Sequence, residues 1–136
     1  MIVFDSSALL ALLDRGEPDH KALQGLIARR PGPRVVTDFV LAEVDFLILK
    51  RLGERAERAF VAQVVEGVFL REPLTVEDLK RASVALERYR EHAFGLTDAT
   101  TMVLAERLQT PVATLDRRHF SLFRDKRGKA LEIVPG

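Results

Sequence analysis

The sequence predicts an α/β fold: a three-layer α/β/α sandwich in which a mostly parallel central sheet is covered on both faces by helices. Two observations carry that expectation. Short apolar runs alternate with longer helical stretches from one end of the chain to the other, the pattern of repeated βαβ units. The chain has 136 residues, near the usual size of one domain, and no linker, repeat or low-complexity tract divides it. Residues 1–136 are therefore read as a single domain.

Each element has a local reason. Ile2-Val3-Phe4 is a short apolar run ending at Asp5, suited to a buried strand. Ser6 to Asp14 reads as a helix, with a serine available as cap and Leu9, Leu10, Leu12 and Leu13 on its apolar face. Pro18, favoured in a first turn, opens a second helix that runs to about Arg30. Arg34 to Thr37 is a second strand. A helix from about Asp38 to Leu52 is stopped by Gly53, and another follows from Glu54 to Glu66. Val68 to Leu70 is a third strand, and Val76 to about His92 a further helix. After Gly95, Thr97 or Asp98 caps a helix that reaches about Gln109. Pro111 to Leu115 is a strand with proline at its first residue, where no ladder donor is lost, and Ala130 to Val134 is a last one.

The composition narrows the chemistry. With 47% hydrophobic and 30% charged residues, the chain is globular rather than disordered. The absence of cysteine excludes a disulfide framework, a thiolate zinc site, an iron–sulfur cluster and a cysteine nucleophile, and it fits a cytoplasmic location. No run approaches the ~18 apolar residues of a membrane span, and Asp5 interrupts the apolar N-terminus, so no membrane role is expected.

Charge is informative only when divided. The 21 Lys+Arg against 20 Asp+Glu give a net +1, which taken whole argues against a nucleic-acid partner. Through Asp116 the chain carries 15 basic and 18 acidic residues; after it come 6 basic and 2 acidic. Arg117, Arg118 and Lys126 belong to that basic end.

Ligands of open parallel sheets bind at the carboxyl ends of strands, where Asp5 and Asp116 fall. Each also has a plain structural reading: Asp5 as a helix cap, Asp116 as a turn residue, Asp98 as a first-turn acid favoured by the helix dipole. Glu43 lies in Phe39 to Leu49, a stretch apolar nearly all round and so expected to be largely buried. A carboxylate there needs a cation, a donor set or a watery cleft. Asp45 stands about 200° round the helix from Glu43, so one of the two faces a site, and spacing leaves open which. Gathered together, these acids would repel one another unless a divalent ion neutralised them. An all-oxygen set suits Mg²⁺ or Mn²⁺. His20, His92 and His119 have no metal-ligand spacing, although His119 lies near Asp116.

Val3-Phe4-Asp5-Ser6-Ser7-Ala8-Leu9-Leu10, the Glu43 helix, Gly95-Leu96-Thr97-Asp98-Ala99 and Ala113-Thr114-Leu115-Asp116-Arg117-Arg118-His119-Phe120 resemble, in order, the motifs of PIN-domain nucleases. The likeness spans the chain and is greatest to the VapC-type toxins of toxin–antitoxin pairs. It implies a parallel sheet between helices and a Mg²⁺- or Mn²⁺-dependent endoribonuclease whose acidic quartet is Asp5, Glu43, Asp98 and Asp116. It also implies that Glu43 rather than Asp45 is the site residue, and that Ser7 orients the site, with Thr114 assisting or meeting RNA. Arg117, Arg118 and Lys126 are expected to grip RNA phosphates beside the acids. A cognate antitoxin and a homodimer follow from the same resemblance. The competing readings are a housekeeping RNA-processing nuclease and a module that binds RNA or protein without cutting. A dehalogenase-type phosphatase fails because it needs a second acid where Ser7 stands. Setting the four acids aside leaves 16 acidic residues against 21 basic, so the near-neutral sum is compatible with RNA.

Overall fold

The computed structural model describes residues 1–136. In chain order the elements are β1 (Ile2–Phe4), α1 (Ser6–Leu13), α2 (His20–Arg29), β2 (Arg34–Val36), α3 (Asp38–Leu52), α4 (Glu54–Glu66), β3 (Leu70–Arg71), α5 (Val76–Arg88), α6 (Leu96–Leu108), β4 (Val112–Ala113), α7 (Arg117–Phe120) and β5 (Ile133–Val134). The sheet order is β3-β2-β1-β4-β5, and every neighbouring pair is parallel.

β1 shows why both faces are covered. Its side chains alternate with the two-residue period of a strand. Ile2 and Phe4 enter one core with Leu9 of α1, Leu23 and Leu26 of α2, Val40 and Val44 of α3 and Phe60 of α4. Val3, flanked by Val35 and Val112, enters the opposite core with Ala85 of α5, Met102 and Ala105 of α6, and Phe120 and Phe123. Strands buried on both faces read as continuous apolar runs, which is how IVF and RVV appear in the sequence. The result is the expected three-layer α/β/α sandwich.

The order of the strands places the site. From β1 the chain winds outward through β2 to β3, then returns across the sheet to lay β4 on the other side of β1. The crevice where the winding reverses lies at the carboxyl ends of β1 and β4, the usual ligand position in such sheets. Asp5 and Thr114 are the first residues beyond those two strands.

Several expectations are corrected. α2 starts at His20 because Glu17 and His20 N–H close turns onto Asp14 and Glu17, leaving Pro18 in the connection. α5 ends at Arg88 and is followed by a 3₁₀ turn over Arg90–His92, with Ala93 left-handed at φ 54°. β3 lies one to two residues later than Val68–Leu70, because Phe69 is drawn into the core and Leu70 and Arg71 pair with β2. α7 was not expected at all. α3 is not buried all round: Val40, Leu41, Val44 and Ile48 face inward, while Phe39, Phe46, Leu49 and Leu52 are exposed. Glu43 stands on the exposed part and so does not bear the cost of burial the sequence suggested.

Candidate active site

Phe4 ends β1, and the next carboxylate turns into the crevice. Asp5 is only 3% exposed and serves as N-cap of α1. Its Oδ1 accepts the Ala8 N–H and the Ser7 hydroxyl, each at 2.8 Å, and its Oδ2 accepts the Thr114 hydroxyl. Both hydroxyls pass the bonding on. Ser7 Oγ accepts the Leu115 N–H (3.0 Å), and Thr114 Oγ1 accepts the Asp116 N–H (2.9 Å). Two hydroxyl relays thus fasten the β1–α1 turn to the β4–α7 turn, with Asp5 at their centre. Such outer partners fix the direction in which a carboxylate presents its free lone pairs.

Asp116 caps α7, accepting the His119 N–H at 3.2 Å. The His119 Nδ1 lies 2.8 Å from Asp116 Oδ2. Phe94 meets the same ring edge-on, with centroids 5.4 Å apart. The imidazole is therefore held on one side by a carboxylate and on another by an aromatic ring.

Asp98 enters from the first turn of α6. Its carboxyl is pushed up to about 6, first by burial and then by the charges of Asp5, Asp116 and Glu43, with His119 opposing. Asp5 is also raised: burial outweighs the bonds from Ala8, Thr114 and Ser7, and Asp116 adds repulsion. The four acids, drawn from β1, α3, α6 and the β4 exit, share one electrostatic site. Asp45 does not join them. It is turned to α4, where hydrogen bonding to Asp45, then burial, holds the Glu57 carboxyl above its usual range.

No three His, Cys, Asp or Glu side chains close on a common point as a ready cage for an ion. The donor set nonetheless fits a hard divalent cation: carboxylates only, none paired with lysine or arginine, and mutual repulsion that a cation would relieve.

The PIN domain model of protein families matches residues 2–126 of this chain. The chain belongs to the PIN domain family. This PIN domain is 35% identical to ribonuclease VapC26 of Mycobacterium tuberculosis over 135 residues, covering 98% of the chain and all of that protein. It is 30% identical over 104 residues to the 23S rRNA-specific endonuclease VapC20 of the same species, covering 76% of the chain and 79% of that protein. The crystal structure of VapC20, described as a sarcin–ricin loop cleaving toxin, superposes with a TM-score of 0.74 at 26% identity, over 82% of this chain and 87% of that one. The fold is also that of VapBC2 from Rickettsia felis, with a TM-score of 0.67 at 14% identity over 98% and 97% of the two chains.

The basic residues of this PIN domain divide between two places. Arg117 and Arg118 are exposed on α7, beside Asp116, and Arg117 donates to the Pro135 carbonyl. Lys126 is elsewhere. Its N–H bonds Glu106 at 3.0 Å, near the C-terminal end of α6, eight residues from Asp98 and so about 12 Å along the helix. The expectation that Lys126 stands beside the acids is corrected: the chain reverses at Asp125 and carries it to the opposite end of α6. Thr114 is corrected too. It is 1% exposed and bonded to Asp5, which places it behind the acids rather than on an RNA-facing surface. His119, noted in the sequence only as lying near Asp116, was given no role; its spacing of three from a capping aspartate was the available signal.

Proposed function

We propose that this chain is a Mg²⁺- or Mn²⁺-dependent endoribonuclease, acting in the cytoplasm as the toxin of a toxin–antitoxin pair. The observation that carries the reading is the meeting of Asp5, Glu43, Asp98 and Asp116 at the carboxyl ends of β1 and β4, with no lysine or arginine among them. The similarity to ribonuclease VapC26 over nearly the whole chain supports the reaction class. The VapBC structure supports the pairing with an antitoxin.

Asp5, Asp98 and Asp116 would hold the ion, and Glu43 would complete the set or orient water. When bound, the ion supplies positive charge against the scissile phosphate and acidifies the attacking water. The chain's own side chains do the rest. Ser7 and Thr114 keep Asp5 in one orientation, and His119 does the same for Asp116. Glu43, exposed on α3, would orient the attacking water and take up its proton. Arg117 and Arg118 grip phosphates flanking the scissile bond. Water adds its oxygen to phosphorus, the bond to the 3′ oxygen breaks, and that oxygen takes up a proton. The products carry a 5′-phosphate and a 3′-hydroxyl.

The toxin reading has a surface to match. Phe46 and Val65, 61% and 80% exposed, lie with Leu49 and Val61 on the outer side of the α3–α4 pair, where an antitoxin or a second copy would cover them. Chelator-stripped protein incubated with total RNA, with and without Mn²⁺, tests the reaction by mapping of the new ends. Mn²⁺-dependent ends bearing 5′-phosphate are expected. Metal-independent cutting with cyclic phosphate ends contradicts the mechanism, and RNA binding without cutting favours a binding module.

A further inference from the structure

The turn after α7 carries three cations that form no ion pair. Asp125 accepts the N–H groups of Arg127 and Lys129, each at 2.8 Å, and Gly128 takes the left-handed conformation (φ 80°) that the reversal needs. A bridge between Arg124 and Ala130 pins the base of the turn. The side chains of Lys126, Arg127 and Lys129 project from it exposed, and none is in an ion pair.

This turn forms one wall of a cleft of about 550 Å³ at the C-terminal end of α6. The cleft holds acids, but nearly all are matched. Asp78 is taken by Arg107, Glu106 by Arg81, Glu77 by Lys80 and Glu132 by Arg30. Asp125 spends its charge on the turn's own N–H groups, which with the charges of Lys129 and Arg127 hold it below the usual carboxylate range. What remains are Lys126, Arg127 and Lys129, the lining bases that form no ion pair. In the same cleft the Thr110 hydroxyl is buried and has no partner. No aromatic side chain lines the cleft, so it lacks the aromatic anchors common in protein interfaces.

We propose that the Asp125–Lys129 turn is a second RNA contact, gripping backbone phosphates remote from the bond that is cut. The inference rests on the nuclease reading and extends it to substrate length. Glu106, which accepts the Lys126 N–H, stands eight residues beyond Asp98, about 12 Å along α6, a rise longer than the three steps of roughly 3.4 Å in a four-nucleotide strand. A substrate must therefore extend several nucleotides from the scissile bond to reach both places. Exposed cations without carboxylate partners gain most from meeting phosphates, since nothing internal has to be broken first.

The test measures binding of a long fluorescein-labelled stem–loop RNA and a labelled tetranucleotide at several salt concentrations. The protein carries Asp98→Asn to prevent cleavage. In that background Lys126→Ala/Arg127→Ala/Lys129→Ala is compared with Lys21→Ala/Lys50→Ala/Arg55→Ala, which removes three exposed cations elsewhere. Thermal melts confirm that each variant folds. The turn variant is expected to weaken the long RNA by roughly tenfold or more and to reduce its log–log salt slope by about 2, with the control variant changing less. The tetranucleotide is expected to bind the turn variant and its parent equally. An unchanged slope on the long RNA overturns the proposal, as does an equal loss from the control variant or on the tetranucleotide. If the wild-type protein fails to cut RNA with Mn²⁺, it is the nuclease reading that falls. Cutting with an unchanged slope removes only the second contact.

Discussion

In the first turn of α6, Asp98 meets Asp5, Asp116 and the charge of Glu43 without an arginine among them, and its carboxyl rises to about 6. Near the end of the same helix, Glu106 takes Arg81 through two bonds of 2.9 and 3.0 Å, and Arg107 takes Asp78 through another such pair. Burial would raise the Asp78 carboxyl as well, yet the Thr75 N–H and Arg107 hold it below its ordinary value. One helix thus carries one acid that is matched and one that is not. The matched end binds α5 to α6 and serves the fold. The unmatched end costs stability in the metal-free chain, and that cost is what a carboxylate set meant to receive a cation would carry.

The largest effects separate the two ends most sharply. Replacing Asp98 with Asn is expected to reduce RNA cleavage by roughly a thousandfold, the scale of a lost metal-centred stabilisation. The melting temperature should stay level or rise, because a repelling charge is gone. Arg107→Ala should do the reverse to stability. It strands Asp78, whose side chain is 4% exposed, and costs about 2 kcal/mol, below the usual range for a buried pair because Arg107 is itself 35% exposed. A melt of both variants reads the contrast directly; equal losses would break it.

The pH dependence of stability should also have opposite signs at the two ends. Asp98 binds a proton more tightly in the folded chain, at about 6, than in the unfolded one, near 3.8. The metal-free protein is therefore expected to lose stability as pH rises from about 4 to 6. Asp78 is lowered on folding, so its stabilising contribution is present above the unfolded value and is lost as pH falls below about 4. Denaturant titrations in chelator across this range should show the decline toward pH 6 shrink in Asp98→Asn, with the part due to Asp5 remaining, and the acid-side loss shrink in Arg107→Ala. A flat wild-type profile between pH 4 and 6 would contradict the picture of unmatched acids.

Thr114→Val should cost folding about 1–2 kcal/mol, because the Asp116 N–H and Asp5 each lose one partner. Its effect on cleavage should be larger in proportion, roughly 10-fold to 100-fold, since the hydroxyl aims a carboxylate. Unchanged cleavage in Thr114→Val would reduce the relay to packing.

The sequence revealed most where one local rule acts alone. The runs IVF and RVV, and Gly53 between two helical stretches, identify their elements without help from the rest of the chain. So do the aspartates at strand exits, and Asp5 shows that the cap reading and the site reading are compatible: it accepts the Ala8 N–H and still belongs to the acid group. What was hidden depends on where the chain returns in space. Lys126 follows Asp116 by ten residues, yet the reversal at Asp125 sends it to the other end of α6. The exposed half of α3 looked like core because exposed apolar side chains have the same composition as buried ones. The relay through Thr114 spans 109 positions, which no local pattern reports.

The central claim is that Asp5, Glu43, Asp98 and Asp116 form one divalent-ion site that carries RNA cleavage. Its most direct test is cleavage of total RNA by chelator-stripped protein as Mn²⁺ is titrated back, with the wild-type chain and Asp98→Asn side by side. The wild type should regain cutting in a saturable, Mn²⁺-dependent way and leave 5′-phosphate ends, while Asp98→Asn stays folded and inactive at every concentration. Cutting by the wild type without metal, or Mn²⁺-dependent cutting retained in Asp98→Asn, would contradict it.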